Sequence, residues 1–370
     1  MDPQSVFCPN PECPARGQCQ AGNITIHSQK ERRYHCRLCD TTFAETKGTP
    51  FYRLHTAMDL VVTVVTLLAY GCPVQAIVVA FALDERTVLA WQERAGAHCQ
   101  QVHEHLVQQP RDLGQVQADE LRVKKQGGIV WLAMALQVRT RLWLGGVIGV
   151  QRDTALITAL LQQVRRCALC RPLLFCVDGL RAYVQAIVRT FREPIPLRQR
   201  GRPRLRPWDG VCIAQVVKQY AHRRVVGIVR RVVQGTMLQV ASLLAQTQGG
   251  GQINTAYIER LNATFRSRLA TLVRRGRALA RQMMTLQHGM YLVGTVYNFC
   301  TEHQSLRLPG LIGGHKWLGR TPAMAAGITD HRWCVAELLM LHVPLPPWRP
   351  PKRRGRRSKA MKRLVARWCT

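Results

Sequence analysis

Acidic residues are scarce in this chain: among 370 residues there are 21 Asp and Glu against 53 Lys and Arg, a formal net charge of +32. An excess of that size costs self-repulsion unless a polyanion offsets it. Double-stranded nucleic acid is the leading partner, ahead of a merely solvated basic surface or an acidic membrane. Aromatic residues make up only 6%, yet 47% of the chain is hydrophobic, which excludes a disordered protein and allows one large domain plus smaller modules. Internal repeats are absent. The first residues, M-D-P-Q-S-V-F-C, lack a basic n-region and an apolar h-region. The expectation is therefore a reduced, cytoplasmic setting close to the bacterial nucleoid. Long uninterrupted apolar runs are also missing. Residues 60–83 carry no charge before Asp84 and resemble a membrane span in length, but Gly71-Cys72-Pro73 breaks the run in its middle. Pro removes a backbone donor and Gly loosens a helix, so two short helices and no membrane association are expected.

Cysteine is plentiful, with fourteen in the chain. Cys8-Pro9-Asn10-Pro11-Glu12-Cys13 and Cys36-Arg37-Leu38-Cys39 are two pairs separated by a turn-rich stretch. Four thiolates can close a tetrahedron around Zn²⁺, and so small a segment cannot bury enough core to fold otherwise. Residues 1–50 are read as a zinc-ribbon module that binds DNA. Cys19, His27 and His35 are possible substitutes, but only the two pairs make a symmetric set. The lone pair Cys167 and Cys170 has no matching partner and is assigned no metal.

Helical periodicity covers residues 55–108, with Asp84 as an N-cap before Thr87-Val88-Leu89-Ala90-Trp91. Three short helices with tight turns suggest a helix-turn-helix whose third helix presents Arg86, Gln92 and Arg94 to the major groove. The alternative is an ordinary helical bundle. From Val116 the period becomes two. V-Q-A-D-E-L-R-V, I-V-W-L-A-M-A-L-Q-V and R-L-W-L-G-G-V-I-G-V read as a meander with a hairpin at Arg139-Thr140. A helix from about residue 153 to 165, the buried strand L-L-F-C-V ending in Asp178-Gly179, and another helix follow. The fold class is α/β, a mixed sheet flanked by helices over residues 112–305, preceded by the ribbon and the helical region. Residues 198–235 read as a basic insertion containing two strand-like runs. Residues 306–343 form a helical extension, and the Pro- and Arg-rich tail 344–370 is expected to be disordered until it meets a polyanion.

The apolar residues of N-T-A-Y-I-E-R-L-N-A-T-F-R-S-R-L, Ile258, Leu261, Phe265 and Leu269, form one helical stripe with Glu259 beside it. Asp119 shares its strand face with Leu121 and Val123, and Glu120 shares the other with Arg122 and Lys124. Asp178 stands at the carboxyl end of a central strand, where open sheets place ligands. Three carboxylates from three elements can converge at one sheet edge. The repulsion and desolvation of that arrangement would be offset by divalent cations, Mg²⁺ or Mn²⁺. A pair of ions about 3.5–4 Å apart can clamp the attacking and leaving oxygens of a phosphodiester. Asn262 and Arg266 follow at steps of three and seven and could touch a nucleic-acid backbone. Singly, each acid has a plainer reading: Asp178 as a turn residue, Asp119 as an edge charge, Glu259 as a partner of Arg266. Arg200-Gly201-Arg202-Pro203-Arg204 suits an A·T-rich minor groove or a phosphate-gripping loop.

Together C-P-N-P-E-C with C-R-L-C, A-D-E, L-F-C-V-D-G-L, N-T-A-Y-I-E-R-L-N, Y-N-F-C-T-E-H-Q-S-L and T-P-A-M-A-A-G-I-T-D-H-R-W resemble the DDE transposases of bacterial insertion sequences. The resemblance implies an RNase H-like core with Asp119, Asp178 and Glu259 as the catalytic, metal-holding acids. Glu120 adjoins the first of these, and either can be the first acid. Asp209 is the fallback for the third. It also implies Mg-dependent strand cleavage and transfer on element ends and target DNA by a homo-oligomer. A non-catalytic DNA-binding relative acting as a repressor, and a membrane-tethered DNA-binding protein, are the alternatives.

Overall fold

Polar, cysteine-rich sequence at the start of the chain and apolar periodic sequence after it fold separately. The computed structural model describes residues 1–195, 203–222, 224–273, 282–310, 316–345, 355–356 and 358–368. Residues 1–60 and 339–370 form one unit, and residues 61–338 the other.

In the smaller unit, β1 (Ile24–Ser28), β2 (Arg33–Cys36) and β3 (Thr41–Ala44) make an antiparallel sheet in that order. Its apolar core consists of Val6, Ala15, Ile24, Tyr34 and Phe43 together with Cys8, Cys13 and Cys36. So few side chains give little burial energy, which leaves the cysteines as the main source of further stability. The expected disorder of the tail does not hold over Lys359–Trp368, which is an α-helix. Ser358 Oγ accepts from Met361 N at 3.2 Å, and Met361, Leu364 and Val365 recur at helical spacing on one half-buried face.

In the larger unit α1 (Met58–Ala69), α2 (Val74–Phe81) and α3 (Glu85–Val102) follow the expected breaks. Gly71 adopts φ +91°, a left-handed conformation that ends the apolar run, and Pro73 opens α2. Asp84 caps α3 by accepting from Arg86 N at 2.8 Å. No described helix is long and apolar enough to cross a membrane. The chain continues through β4 (Gln115–Lys125), β5 (Gly128–Gln137), β6 (Trp143–Gly149), α4 (Thr154–Cys167), β7 (Leu173–Asp178) and α5 (Arg181–Thr190). A short ribbon, β8 (Arg192–Pro194) with β9 (Leu205–Pro207), leads to β10 (Val211–Ala221) and β11 (Arg224–Gln234). The helices α6 (Met237–Gln248), α7 (Ala256–Arg268) and α8 (Met283–Phe299) come next.

The six-stranded sheet has the order β11-β10-β7-β4-β5-β6. β4 to β6 form the antiparallel meander, while β7 runs parallel to β4 and β10 parallel to β7. The two strand-like runs read between Arg198 and Gly235 are sheet strands, β10 and β11. β11 is an edge strand, so most of its Val and Arg residues face solvent. One face of the sheet packs on α4 and α5 through Val116, Ala118, Phe175, Val177, Leu160 and Tyr183. The other receives α6 and α7. α3 lies along α8 at close range, because a Cβ on Gly96 would collide with the His288 backbone.

Candidate functional site

The four cysteines come together as their spacing predicts. Cys8 Sγ lies 3.5 Å from Cys39 Sγ, and Cys13 Sγ 3.7 Å from Cys36 Sγ. All four sulfurs fall within 4.8 Å of one another, a set that could hold a metal ion. A tetrahedron with metal–sulfur bonds of about 2.3 Å has an edge of about 3.8 Å, so the spacing fits tetrahedral thiolate ligation. Two side chains support the sulfurs: Asn23 Nδ2 donates to Cys36 Sγ at 3.1 Å, and Thr41 Oγ1 lies 2.6 Å from Cys39 Sγ. Burial pushes the Cys13 thiol up to about 11, while the Thr41 and Asn10 hydrogen bonds outweigh burial at Cys39 and hold it down to about 6. The possible substitutes take no part: Cys19 is exposed, and His35 Nε2 is engaged by Asp40 at 2.7 Å.

The acidic site forms where two parallel strands part. The β4–β7 ladder ends at Gln117 and Cys176, but β7 continues to Asp178 and β4 to Lys125. Asp119, Glu120 and Asp178 gather in this opening with carboxylate oxygens within 4.8 Å, a cluster that could bind a metal. Asp178 Oδ1 accepts from Leu180 N at 2.9 Å, which fixes its side chain at the start of α5.

Glu120 shares its strand face with Arg122 and Lys124, but unlike them it is buried, with its side chain fully covered. Arg152 explains how a carboxylate survives there: its guanidinium lies 2.7 Å from Glu120 Oε2 and 2.9 Å from Asp178 Oδ2. Glu120 Oε1 is buried, and the Tyr183 hydroxyl beside it favours the charged carboxylate. Burial raises both acids, and the neighbouring charge of Glu120, then of Asp178 and Glu259, adds to the rise of Asp119, which reaches about 6.

α7 brings the third expected acid to the same place. Its apolar stripe Ile258, Leu261, Phe265 and Leu269 is buried, and its first turn docks on β4 through Gln117. Gln117 Oε1 accepts from Tyr257 N and Ile258 N, each at 3.0 Å, and Gln117 Nε2 donates to Asn254 O at 2.8 Å. Two amides that the helix cannot satisfy itself are thus held by a strand side chain two residues from Asp119. Glu259 then lines one cleft of about 380 Å³ with Asp119, Asp178, Arg152 and Lys218. It lies outside the tight trio and is paired across the cleft with Lys218 Nζ at 2.9 Å.

Other expected site residues are placed differently. Asn262 is buried, and its Nδ2 donates to Asp119 Oδ2 at 2.8 Å, so it positions the aspartate instead of reaching a nucleic-acid backbone. Arg266 is half-buried on the same helix. Asp209 is exposed beside Gly210, whose carbonyl accepts from Leu173 N, at the far end of β7 from Asp178. It is no third acid. Arg86 and Arg94 are exposed on α3, but Gln92 is half-buried and turned toward Gly289 of α8, so the three do not present one face. Arg204 is exposed next to β9, and Arg200 and Arg202 lie outside the described residues. Sequence reasoning missed Arg152 and Lys218. The available signals were an Arg just after the meander, before the Asp153 cap, and a Lys two places beyond the β10 residue that pairs with Asp178. Comparison of the chain with family models and with curated proteins finds no match.

Proposed function

We propose that the chain is a metal-dependent DNA transposase with an RNase H-like catalytic domain. The observation that carries this reading is the cleft lined by Asp119, Asp178 and Glu259, with Glu120 clustered against the two aspartates, inside a chain of net charge +32. The strand order, a three-strand meander followed by two parallel strands with helices between, supports the RNase H-like part. Hard carboxylate oxygens suit Mg²⁺ or Mn²⁺, and Asp119, Glu120, Asp178 and Glu259 are the residues that would hold it. A bound divalent cation supplies charge neutralisation at the phosphodiester and activates the attacking oxygen.

The chain's own residues do the rest. Asn262 and Leu180 N aim the two aspartates, and Gln117 fixes the helix that carries Glu259. Arg152 and Lys218 balance the carboxylates and stand ready to meet phosphate oxygens. Water would attack the phosphorus at an element end, breaking its bond to the 3′ oxygen and freeing a 3′-OH. That hydroxyl would attack a target phosphorus in line, forming the new phosphodiester as the bond to the target's own 3′ oxygen breaks and leaves a target 3′-OH, and no covalent enzyme intermediate is needed. The cysteine set fits structural Zn²⁺, and the small unit, α3 and the exposed Arg204 loop are the surfaces proposed for duplex binding. A multimer on DNA and a nucleoid location complete the reading.

One observation favours the rival, a DNA-binding protein without catalysis. Arg152 and Lys218 already neutralise acids of the cleft, as in a purely structural ion-pair network. Asp178→Asn separates the two. On a plasmid carrying the gene with its flanking DNA, the enzyme reading expects Mg-dependent strand cleavage to fall at least about a thousandfold with duplex binding retained. Unchanged cleavage would remove the catalytic assignment, and a wild-type protein that binds DNA without cutting it would favour the repressor.

A further inference from the structure

A second charged constellation lies beside the acidic cleft. Arg141 sits in the turn between β5 and β6 with φ +59°, a left-handed conformation that favours Gly. Its guanidinium lies 4.0 Å over the Tyr257 ring of α7. Tyr297 Oη donates to Arg141 O at 3.1 Å, and the Tyr297 ring meets His303 at 4.7 Å. Further along α7, Arg268 stacks over Tyr70 at 4.5 Å and reaches Thr301 Oγ1 at 3.3 Å. Arg260 lies between them on the exposed side of the helix.

Among the described residues none of Arg141, Arg260 and Arg268 forms an ion pair with a carboxylate. Burial first, and then these three arginines, hold His303 down to about 4, and no carboxylate opposes them. His303 Nε2 is buried without a hydrogen-bond partner. Elsewhere on the same helix Glu259 found a lysine. Three guanidinium groups gathered without an acid, two of them half-buried and one on a backbone that suits Gly, are a costly arrangement unless an anion joins them.

We infer that Arg141, Arg260 and Arg268, with His303 behind them, form a binding ledge for the phosphodiester backbone of DNA. The ledge begins one residue from Glu259, so a strand lying on it is led into the acidic cleft. Arg260 and Arg268 are eight residues apart, about 12 Å along the helix axis, which spans roughly three phosphates of one DNA strand at 3.4 Å rise. Planar guanidinium groups suit bidentate contact with phosphate oxygens, and stacking on Tyr257 and Tyr70 fixes two of them in advance. The contacts carry no base information, so they hold any sequence equally. This inference rests on the nucleic-acid reading of the protein and adds to it the surface that holds the strand.

The test uses the full chain, two unrelated fluorescein-labelled duplexes and anisotropy over a range of salt concentrations without added divalent cation. Arg260→Ala is the safest variant, since the residue is exposed on a helix, and Arg141→Gly suits its backbone. Each should lower the log–log salt slope by about one on both sequences, and the double variant should bind about tenfold or more weakly, with unchanged melting temperature. Arg260→Lys should keep the slope. A folded double variant with the wild-type affinity and slope would overturn the ledge while leaving the transposase reading intact. Failure of the wild-type chain to bind either duplex would instead remove the nucleic-acid reading, and the ledge with it.

Discussion

The cysteine cluster and the acidic cleft are both places where a cation fits, and they hold their ligands in opposite ways. In the smaller unit four sulfurs face one another with Asn10, Asn23 and Thr41 as polar support, and a small apolar core surrounds them. Nothing else in that segment could keep it folded, so its metal is expected to be part of the fold. In the larger unit the carboxylates sit on a sheet already stabilised by a large core, and Arg152 and Lys218 supply counter-charge. Those carboxylates are held in place whether or not a cation is bound. A metal in the cysteine cluster would create its scaffold, whereas one in the acidic cleft would borrow a scaffold already built.

The largest effect that sharpens this contrast comes from removing the sulfurs. Cys36→Ser or a strong chelator should release Zn²⁺ and unfold β1 to β3, at a cost of about 10 kcal/mol of metal-binding energy. The larger unit should keep its own melting transition. Zinc release measured with a colorimetric chelator, together with NMR of the Tyr34 and Phe43 rings, checks it; a folded ribbon without metal would break the comparison.

Gln117→Ala should cost about 3 kcal/mol by stranding the amides of Tyr257 and Ile258, and should loosen Glu259. Chemical denaturation measures the loss, and Gln117→Glu should restore part of it by keeping the acceptor. A change within about 0.5 kcal/mol would show that α7 docks by its apolar stripe alone.

Asp119→Asn should act in the other direction. In the folded chain burial and nearby acids lift Asp119 from 3.8 to about 6. An acid raised in this way contributes stability in full below its unfolded pKa and loses it as pH rises through the folded value. The metal-free protein should therefore lose stability between about pH 4 and 6. At neutral pH Asp119→Asn should be about 2 kcal/mol more stable than the wild type, and its pH dependence in that window should be reduced. Below about pH 6 the affinity of the wild-type cleft for Mn²⁺ should fall as protons compete, up to about tenfold per unit. Thermal melts and titration calorimetry across this range test both statements. Smallest of the set, Asp84→Ala should cost about 1 kcal/mol through loss of the α3 cap, with no effect on either metal site.

Much of this was legible in the sequence where the signal is local. The cysteine spacing, the Asp84 cap, the break at Gly71 to Pro73 and the meander are short-range features, and the structure follows them. The stripe beside Glu259 was equally plain, and Asp178 at the end of an apolar run stands where it was expected. Long-range geometry was not legible. Strand alternation says which face Glu120 takes, but not that β4 and β7 part at Gln117, leaving Glu120 beside Arg152 and Asp178. The Arg152 contact with Asp178 spans 26 residues and the Asn262 contact with Asp119 spans 143, separations that no local pattern encodes. The helix at Lys359–Trp368 was hidden by its arginines and lysines, which lie on one side of an apolar face.

The most direct measurement is anomalous X-ray diffraction from crystals of the full chain soaked in Mn²⁺. The account predicts a zinc signal among Cys8, Cys13, Cys36 and Cys39, and a manganese peak between the carboxylates of Asp119 and Asp178. Arg152 should be turned away from Asp178 where the ion sits. Zinc in the cysteine cluster with no manganese in the cleft, and Arg152 still bridging Glu120 and Asp178, would contradict it.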